Sequence, residues 1–155
     1  MSARGGIVAG RLYRSIENHA EPNSLGMASV EVLYELAPRL KRRPDVAFVT
    51  RDRWPHNYIP DMEGWKIIPS IAAEVISKSN SATDVVNKIS EYFRHGVLEV
   101  WEIYPNYQEI RVHRQSNPSN IQVLRLGDTL TGGEIIPGFE LALEELFAGT
   151  QQPTS

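Results

Sequence analysis

Two acidic residues and a lysine, placed on consecutive predicted elements, have the types and spacing needed for chemistry on a phosphate ester. Asp45 stands at the entrance of the apolar run 46–50, Glu74 lies inside the apolar run 69–76, and Lys88 follows on a predicted helix. Carboxylate oxygens are the ligands that a hard divalent cation prefers. A lysine beside such a cation can offset charge that develops on a leaving or bridging oxygen. The pattern therefore indicates metal-dependent phosphoester hydrolysis.

Each of these residues also has a simpler explanation. Asp45 follows a proline and could be only a turn residue. Glu74 has apolar neighbours, so its carboxylate needs a partner. That partner could be a basic side chain in a structural salt bridge rather than a metal ion. Lys88 could pair with Asp84, four residues earlier on the same helix. Lys78, which closely follows Glu74, is a second candidate for a catalytic lysine, and the residues alone leave these alternatives open.

The composition predicts one ordinary globular domain. The chain has 155 residues, 41% of them hydrophobic and 23% charged, which is enough for a single core. It has no cysteine, which excludes disulfides, zinc–thiolate sites and a cysteine nucleophile. This fits a reducing compartment, and we predict a cytoplasmic protein. We also expect no signal peptide and no membrane partner, because no apolar run approaches the length of a membrane span.

The net charge of −3 argues against general binding of polyanions, so any contact with nucleic acid must come from a local patch. One local excess of positive charge flanks Asp45. Arg42 and Arg43 precede it, and Arg51 and Arg53 follow the next apolar run. This patch could guide a phosphate backbone toward the acids, although a solvated basic turn explains it equally well.

Hydrophobic periodicity predicts an α/β fold with a central mixed sheet flanked by helices. The strands that hold Glu74 and Trp101 should be parallel neighbours, because a predicted helix separates them. A basic turn is expected at 38–44, a long polar and aromatic connection at 51–68, and one domain over residues 1–148 with a flexible tail at 149–155. Helices are predicted over 7–20, from a capping motif at 81–84 to Gly96, and over 139–147; strands are predicted over 30–36, 46–50, 69–76, 97–104, 109–114 and 121–126.

The order and spacing of several short motifs over residues 7–147 resemble a known family. The motifs are Arg-Pro-Asp-Val-Ala-Phe-Val at 43–49, Glu-Val-Ile-Ser at 74–77, Asp84 with Lys88 and Tyr92, Gly-Val-Leu-Glu-Val-Trp at 96–101, Gly-Asp-Thr-Leu at 127–130 and Ile-Pro-Gly-Phe at 136–139. Together they resemble the compact bacterial, Uma-two-like branch of restriction endonucleases in the PD-(D/E)XK nuclease superfamily.

The resemblance implies a restriction-endonuclease-like core and metal-dependent hydrolysis of nucleic-acid phosphodiesters, with DNA as the expected substrate. It implies that Asp45, Glu74 and the backbone carbonyl of Val75 hold Mg²⁺ or Mn²⁺. Lys88 would position the attacking water or stabilise the transition state. Whether the protein forms a homodimer is left open. Three further residues are secondary candidates for the site: Lys78, Asp84 and Tyr92.

The sequence departs from the superfamily pattern at two places. Ile76 stands where the superfamily has a lysine, two residues after the second acid, and Lys88 matches the helical lysine that takes over in this branch. Relatives also carry an additional N-terminal stretch ahead of the first helix. The alternative is therefore a catalytically inactive nucleic-acid- or protein-binding module that retains the nuclease fold. Convergence of Asp45, Glu74 and Lys88 on one point would favour the enzyme.

Overall fold

The computed structural model describes residues 1–154, and Ser155, the last residue of the predicted tail, lies outside them. Within residues 1–154 the chain forms three α-helices and ten strands. In chain order these are α1 (Ala3–Ala20), β1 (Gly26–Val30), β2 (Tyr34–Ala37), β3 (Leu40–Arg42), β4 (Val46–Thr50), β5 (Ile71–Val75), α2 (Ala82–Arg94), β6 (Glu99–Tyr104), β7 (Glu109–Arg114), β8 (Gln122–Leu124), β9 (Thr129–Thr131), β10 (Glu140–Ala142) and α3 (Leu143–Leu146).

Six strands form the central sheet, in the order β1-β4-β5-β6-β7-β8. Every neighbouring pair is antiparallel except β5 and β6, which are parallel and are joined by α2. The predicted mixed sheet and the predicted parallel pair are therefore confirmed. A parallel pair needs a crossover connection, and α2 provides it.

Both faces of the central strands are buried, which explains why β4 and β5 are continuous apolar runs. On one face, side chains such as Phe48 and Trp101 pack against α1 and α3. On the other face, Ala72 and Val100 pack with Tyr92 of α2. The chemistry-bearing residues lie on this second face, at the end of the sheet where β5 finishes.

α2 begins and ends as the sequence predicts. The hydroxyl of Ser81 accepts a hydrogen bond from the backbone N–H of Asp84 at 3.1 Å, so it satisfies one free donor of the first turn. Gly96, with φ of 104°, follows the last turn and lets the chain reverse into β6. Both ends of the helix that carries Lys88 are thus fixed by local chemistry.

The predicted strand over 30–36 is wrong because the chain turns out of the sheet in its middle. Glu31 has φ of 53°, a left-handed conformation that interrupts the extended run. β1 ends before it in the central sheet, and β2 begins after it and pairs with β3 in a separate hairpin. The segment 38–44, predicted as a basic turn, therefore contains the strand β3.

The predicted helix over 139–147 is helical only over Leu143–Leu146. Its first part is β10, which pairs with β9. Burial alternates along Phe139, Leu141 and Leu143, a period of two that the sequence window mixes with the helical spacing that follows. Farther along, Thr150 is buried, and its hydroxyl donates to the carbonyl of Phe147 at 2.8 Å, so this residue packs on the body.

The connection over 51–68 consists of two short 3₁₀ turns and irregular backbone. Its aromatic side chains hold it to the body, since Trp65 is buried and stacks on Tyr34 with ring centroids 6.0 Å apart. None of the helices described in residues 1–154 is both long and apolar enough to cross a membrane.

We predict that Ser81→Ala lowers the free energy of unfolding by about 1 kcal/mol, because the first turn of α2 loses its cap. Chemical denaturation measures this loss. Thr83→Ala is the matched control, since Thr83 is exposed in the same turn. An equal loss in both variants would show that the hydroxyl of Ser81 does not cap the helix.

Candidate active site

Three carboxylates form a row across neighbouring strands. Val46 pairs with Ala73 in the antiparallel register of β4 and β5, so Asp45, just before β4, lies opposite Glu74. Glu74 pairs in turn with Glu102 in the parallel register of β5 and β6. Residues directly opposite one another share a face of the sheet, which places all three acids beneath α2.

Asp45 ties β4 to β5. The backbone N–H of Val75 donates to its Oδ2 atom at 2.7 Å. Burial raises the pKa of Asp45, and the hydrogen bond from Val75 and the positive charge of Lys88 oppose that rise. Asp45 is thus fixed at the mouth of the strand by a contact between strands, which a plain turn residue would lack.

Glu74 is a carboxylate inside the apolar sheet, with only 9% of the residue exposed. The phenolic O–H of Tyr92 donates to its Oε1 atom at 2.6 Å, and Nζ of Lys88 lies 3.9 Å from the same oxygen. Burial raises the pKa of Glu74 to about 7, against the effects of Tyr92 and Lys88, and the negative charge of Asp45 adds to the rise. A cation brought to this point would favour the ionised form.

Lys88 approaches Glu74 from above, on α2. Its side chain is 38% exposed, and its ion pair is with Glu74 rather than with Asp84 on its own helix. Asp84 and Lys78 line the same cleft from the start of α2 and from the loop before it. The structure therefore brings Lys88 to Glu74, and Lys78 lines the same cleft without an ion pair to either acid.

These groups line one cleft with a volume of about 890 Å³. Its opposite wall is the first turn of α1, where a guanidinium N–H of Arg4 donates to Oδ1 of Asn106 at 2.6 Å. Every residue that the sequence singled out for catalysis or metal binding contributes to the cleft: Asp45, Glu74, Val75, Lys78, Asp84, Lys88 and Tyr92.

The structure does not bring the four predicted basic residues to one surface. Arg43 is exposed and lines the cleft. Arg42 is bound to Glu91 of α2, with Nε 2.5 Å from Oε2. Arg51 and Arg53 lie outside the cleft and donate to backbone carbonyls that hold the connection over 51–68 in place. Of the four, only Arg43 lines the cleft, and its guanidinium donates to the backbone carbonyl of Glu31 at 3.0 Å.

Sequence reasoning missed Glu102. It is 5% exposed, lines the cleft, and accepts hydrogen bonds from the hydroxyl of Tyr104 and from Nε2 of His113. Burial acts to raise the pKa of Glu102, but the bonds from His113 and Tyr104 outweigh burial, so the pKa is lowered. The signal was present, because Glu102 interrupts an apolar strand just as Glu74 does.

Among residues 1–154, no group of three or more His, Cys, Asp or Glu side chains is arranged to hold a metal ion. The carboxylates of Asp45 and Glu74 each use one oxygen, Oδ2 and Oε1, for the protein contacts described above. Their second oxygens have no hydrogen-bond partner within that part of the chain. These two carboxylate oxygens are donors that the site offers, and Val75, whose backbone carbonyl is the predicted third ligand, also lines the cleft.

Residues 2–144 match the Uma2 family, described as "Putative restriction endonuclease". The chain belongs to the Uma2 family. Its fold is similar to that of a "putative nuclease belonging to DUF820" from Anabaena variabilis, with a TM-score of 0.83 at 19% identity over 97% of this chain and 84% of that chain. This likeness confirms the predicted restriction-endonuclease-like core. A comparison with curated proteins gave no match.

We predict that Glu74→Gln flattens the dependence of stability on pH in metal-free buffer. A carboxyl group whose pKa is about 7 when folded stays protonated while the unfolded chain ionises, so stability falls as pH rises from about 4.5 to about 7. The ionised group costs up to about 3 kcal/mol above that range. Glu74→Gln should therefore be at least as stable as the natural protein at about pH 8, where Glu74 is ionised.

Denaturation curves at several pH values measure this difference. Glu21→Gln is the control, since Glu21 is an exposed acid at the end of α1. A large loss of stability in Glu74→Gln at high pH would instead show that Glu74 and Lys88 form a structural ion pair.

Proposed function

We propose that this Uma2-family chain hydrolyses phosphodiester bonds of nucleic acid, with DNA as its substrate and Mg²⁺ or Mn²⁺ as its cofactor. The observation that carries the proposal is the meeting of Asp45, Glu74 and Lys88 at one wall of the cleft. Membership of a family described as a restriction endonuclease supports the same function.

The donor set fits a hard divalent cation. Burial is the main cause of the raised pKa of Glu74, and the negative charge of Asp45 adds to it; a cation between the two carboxylates would relieve this repulsion. Asp45, Glu74 and the backbone carbonyl of Val75 would hold the ion, because Mg²⁺ and Mn²⁺ prefer carboxylate and carbonyl oxygens. When bound, the metal supplies activation of a water molecule and neutralisation of charge on the phosphate.

The protein's own groups position and stabilise the reacting atoms. Tyr92 holds the carboxylate of Glu74 in one orientation through its hydroxyl. Lys88 is placed by a capped helix, so its ammonium has a fixed approach to the cleft, where it would stabilise charge that develops on the phosphate oxygens. Arg43, exposed at the rim, would hold the neighbouring part of the phosphate backbone.

A non-catalytic binding module is the second candidate. The observation that favours it is that no three acidic or histidine side chains within residues 1–154 form a metal cluster. A thermal-shift titration with Mn²⁺ separates the two candidates. Stabilisation by Mn²⁺ that disappears in Asp45→Asn supports the enzyme, and an unchanged melting temperature in the natural protein supports the binding module.

We predict that Lys88→Met lowers the single-turnover cleavage rate by about a hundredfold or more, the scale of losing one electrostatic stabiliser. Stabilisation by Mn²⁺ should survive, because Asp45 and Glu74 remain. Lys78→Met is the matched control and should cost little, since Lys78 lies in the loop before α2 and forms no ion pair with Glu74. Full activity in Lys88→Met would exclude the helical lysine from the chemistry.

We predict that Arg43→Ala weakens binding to all sequences about equally and makes the slope of log affinity against log salt shallower by roughly one unit. Arg42→Ala should change the slope less, because the guanidinium of Arg42 is already bound to Glu91. Fluorescence anisotropy at a series of salt concentrations measures both slopes. Equal slopes in the natural protein and in Arg43→Ala would show that Arg43 contacts solvent and no phosphate.

A further inference from the structure

A second cavity, which we call the side groove, lies beside the cleft. It lies between α2 and the strands β6 and β7, and its volume is about 670 Å³. The two cavities share the following lining residues: Ile76, Asn80, Val85, Ile89 and Glu102. The side groove is therefore a direct neighbour of the cleft that holds Asp45 and Glu74.

The walls of the side groove are apolar and uncovered. The apolar stripe of α2, formed by Val85, Ile89 and Phe93, is only half-buried, because the groove lies beneath it. Val86 is 63% exposed on the same helix, and Ile121 is 45% exposed just before β8. A helix face that is left open in this way is available to a flat apolar ligand.

The floor of the side groove is polar. Glu102 accepts hydrogen bonds from Tyr104 and His113, and the guanidinium of Arg111 lies over the ring of Tyr104, 4.9 Å from its centroid. All four side chains line the groove. Apolar walls with a few polar groups at the base are the usual lining of a site for a heteroaromatic ring, which needs surfaces to stack on and groups to bond its edge.

We propose that the side groove binds an unpaired nucleobase of the strand whose phosphate lies at Asp45 and Glu74. This inference rests on the proposed function and narrows its substrate to nucleic acid with an accessible base: a single strand, or a base turned out of its duplex. The reason is that a base paired and stacked in a duplex cannot enter a groove in the protein. The groove's position supplies the second reason, since a base joined to the reacting phosphate reaches a cavity that shares the walls of the cleft.

A second copy of this chain is the competing occupant of the groove. Two observations favour the base. The groove shares five lining residues with the cleft, and charged groups, those of Glu102 and Arg111, line its floor. The core of an interface between copies is depleted of charged residues.

The test compares a single strand of deoxythymidine with a strand of equal length that has phosphates and sugars but no bases, each about 12 nucleotides long. Binding is measured without metal, so that no cleavage occurs. The natural protein should bind the base-bearing strand about tenfold more tightly, the scale of stacking one base. The double variant Val86→Asp with Ile121→Asp should bind the two strands equally, because the two new carboxylates remove the apolar surface on which a base would stack.

The matched control is Ile59→Asp with Met62→Asp, which adds the same charge at exposed apolar residues outside both cavities. Added negative charge weakens the binding of both strands by the same factor, so the ratio of their affinities reports on the groove alone. Equal affinity of the natural protein for the two strands would overturn the proposal, as would a retained ratio in the groove variant or an equal loss in the control. Dissociation of a dimer by the groove variant, seen in sedimentation, would assign the groove to a second copy.

Mn²⁺ titration and cleavage assays on the natural protein separate this inference from the proposed function. Base preference without any effect of Mn²⁺ would support the groove and overturn the hydrolysis. Cleavage that depends on Mn²⁺, without base preference, would overturn the groove and leave the hydrolysis standing.

Discussion

The buried carboxylate of Glu74 requires hydrogen-bonding and positively charged partners, and this requirement constrains where α2 lies on the sheet. A charged group in the middle of an apolar sheet is unfavourable unless other groups compensate it, and its raised pKa shows that the compensation is incomplete. Tyr92 and Lys88 come from one helix to meet it. The position of α2 over the sheet therefore decides both how much stability the site costs and whether the site forms.

The register of the strands adds a second constraint. Asp45, Glu74 and Glu102 lie in one row because β4, β5 and β6 pair without a slip at this end of the sheet. A shift of one residue would turn an acid to the opposite face, into the core beneath α1. The hydrogen bond from the backbone N–H of Val75 to Asp45 fixes this register beside Glu74. The same contact therefore holds the two strands together and positions the carboxylate of Asp45.

Local signals predicted the parts of this protein whose partners are near in sequence. The strand at 46–50 and the cap at Ser81 follow from neighbouring residues, and so do Asp45 and Glu74 as candidates. The break at Glu31 and the pairing of β10 with β9 depend on distant backbone, which periodicity cannot show. Glu102 carries the same sequence signal as Glu74, an acid inside an apolar strand; its hydrogen bonds from Tyr104 and His113 are visible only in the folded chain.

Position 76 holds an isoleucine rather than a lysine, and the ammonium beside Glu74 comes from Lys88 of α2. Ile76 follows β5 on the same face as Glu74, where a lysine would place its ammonium beside the acids, yet its apolar side chain lines both cavities instead. Lys88 of α2 brings positive charge to Glu74 instead, and Arg42 at the end of β3 adds a smaller effect. Strand β5 thus supplies the carboxylate of Glu74, and Ile76 after it forms an apolar wall. Helix α2 supplies the ammonium of Lys88 and the half-buried apolar side chains that line the side groove with Ile76. The departure from the superfamily pattern at position 76 and the existence of the side groove follow from one arrangement of these two elements.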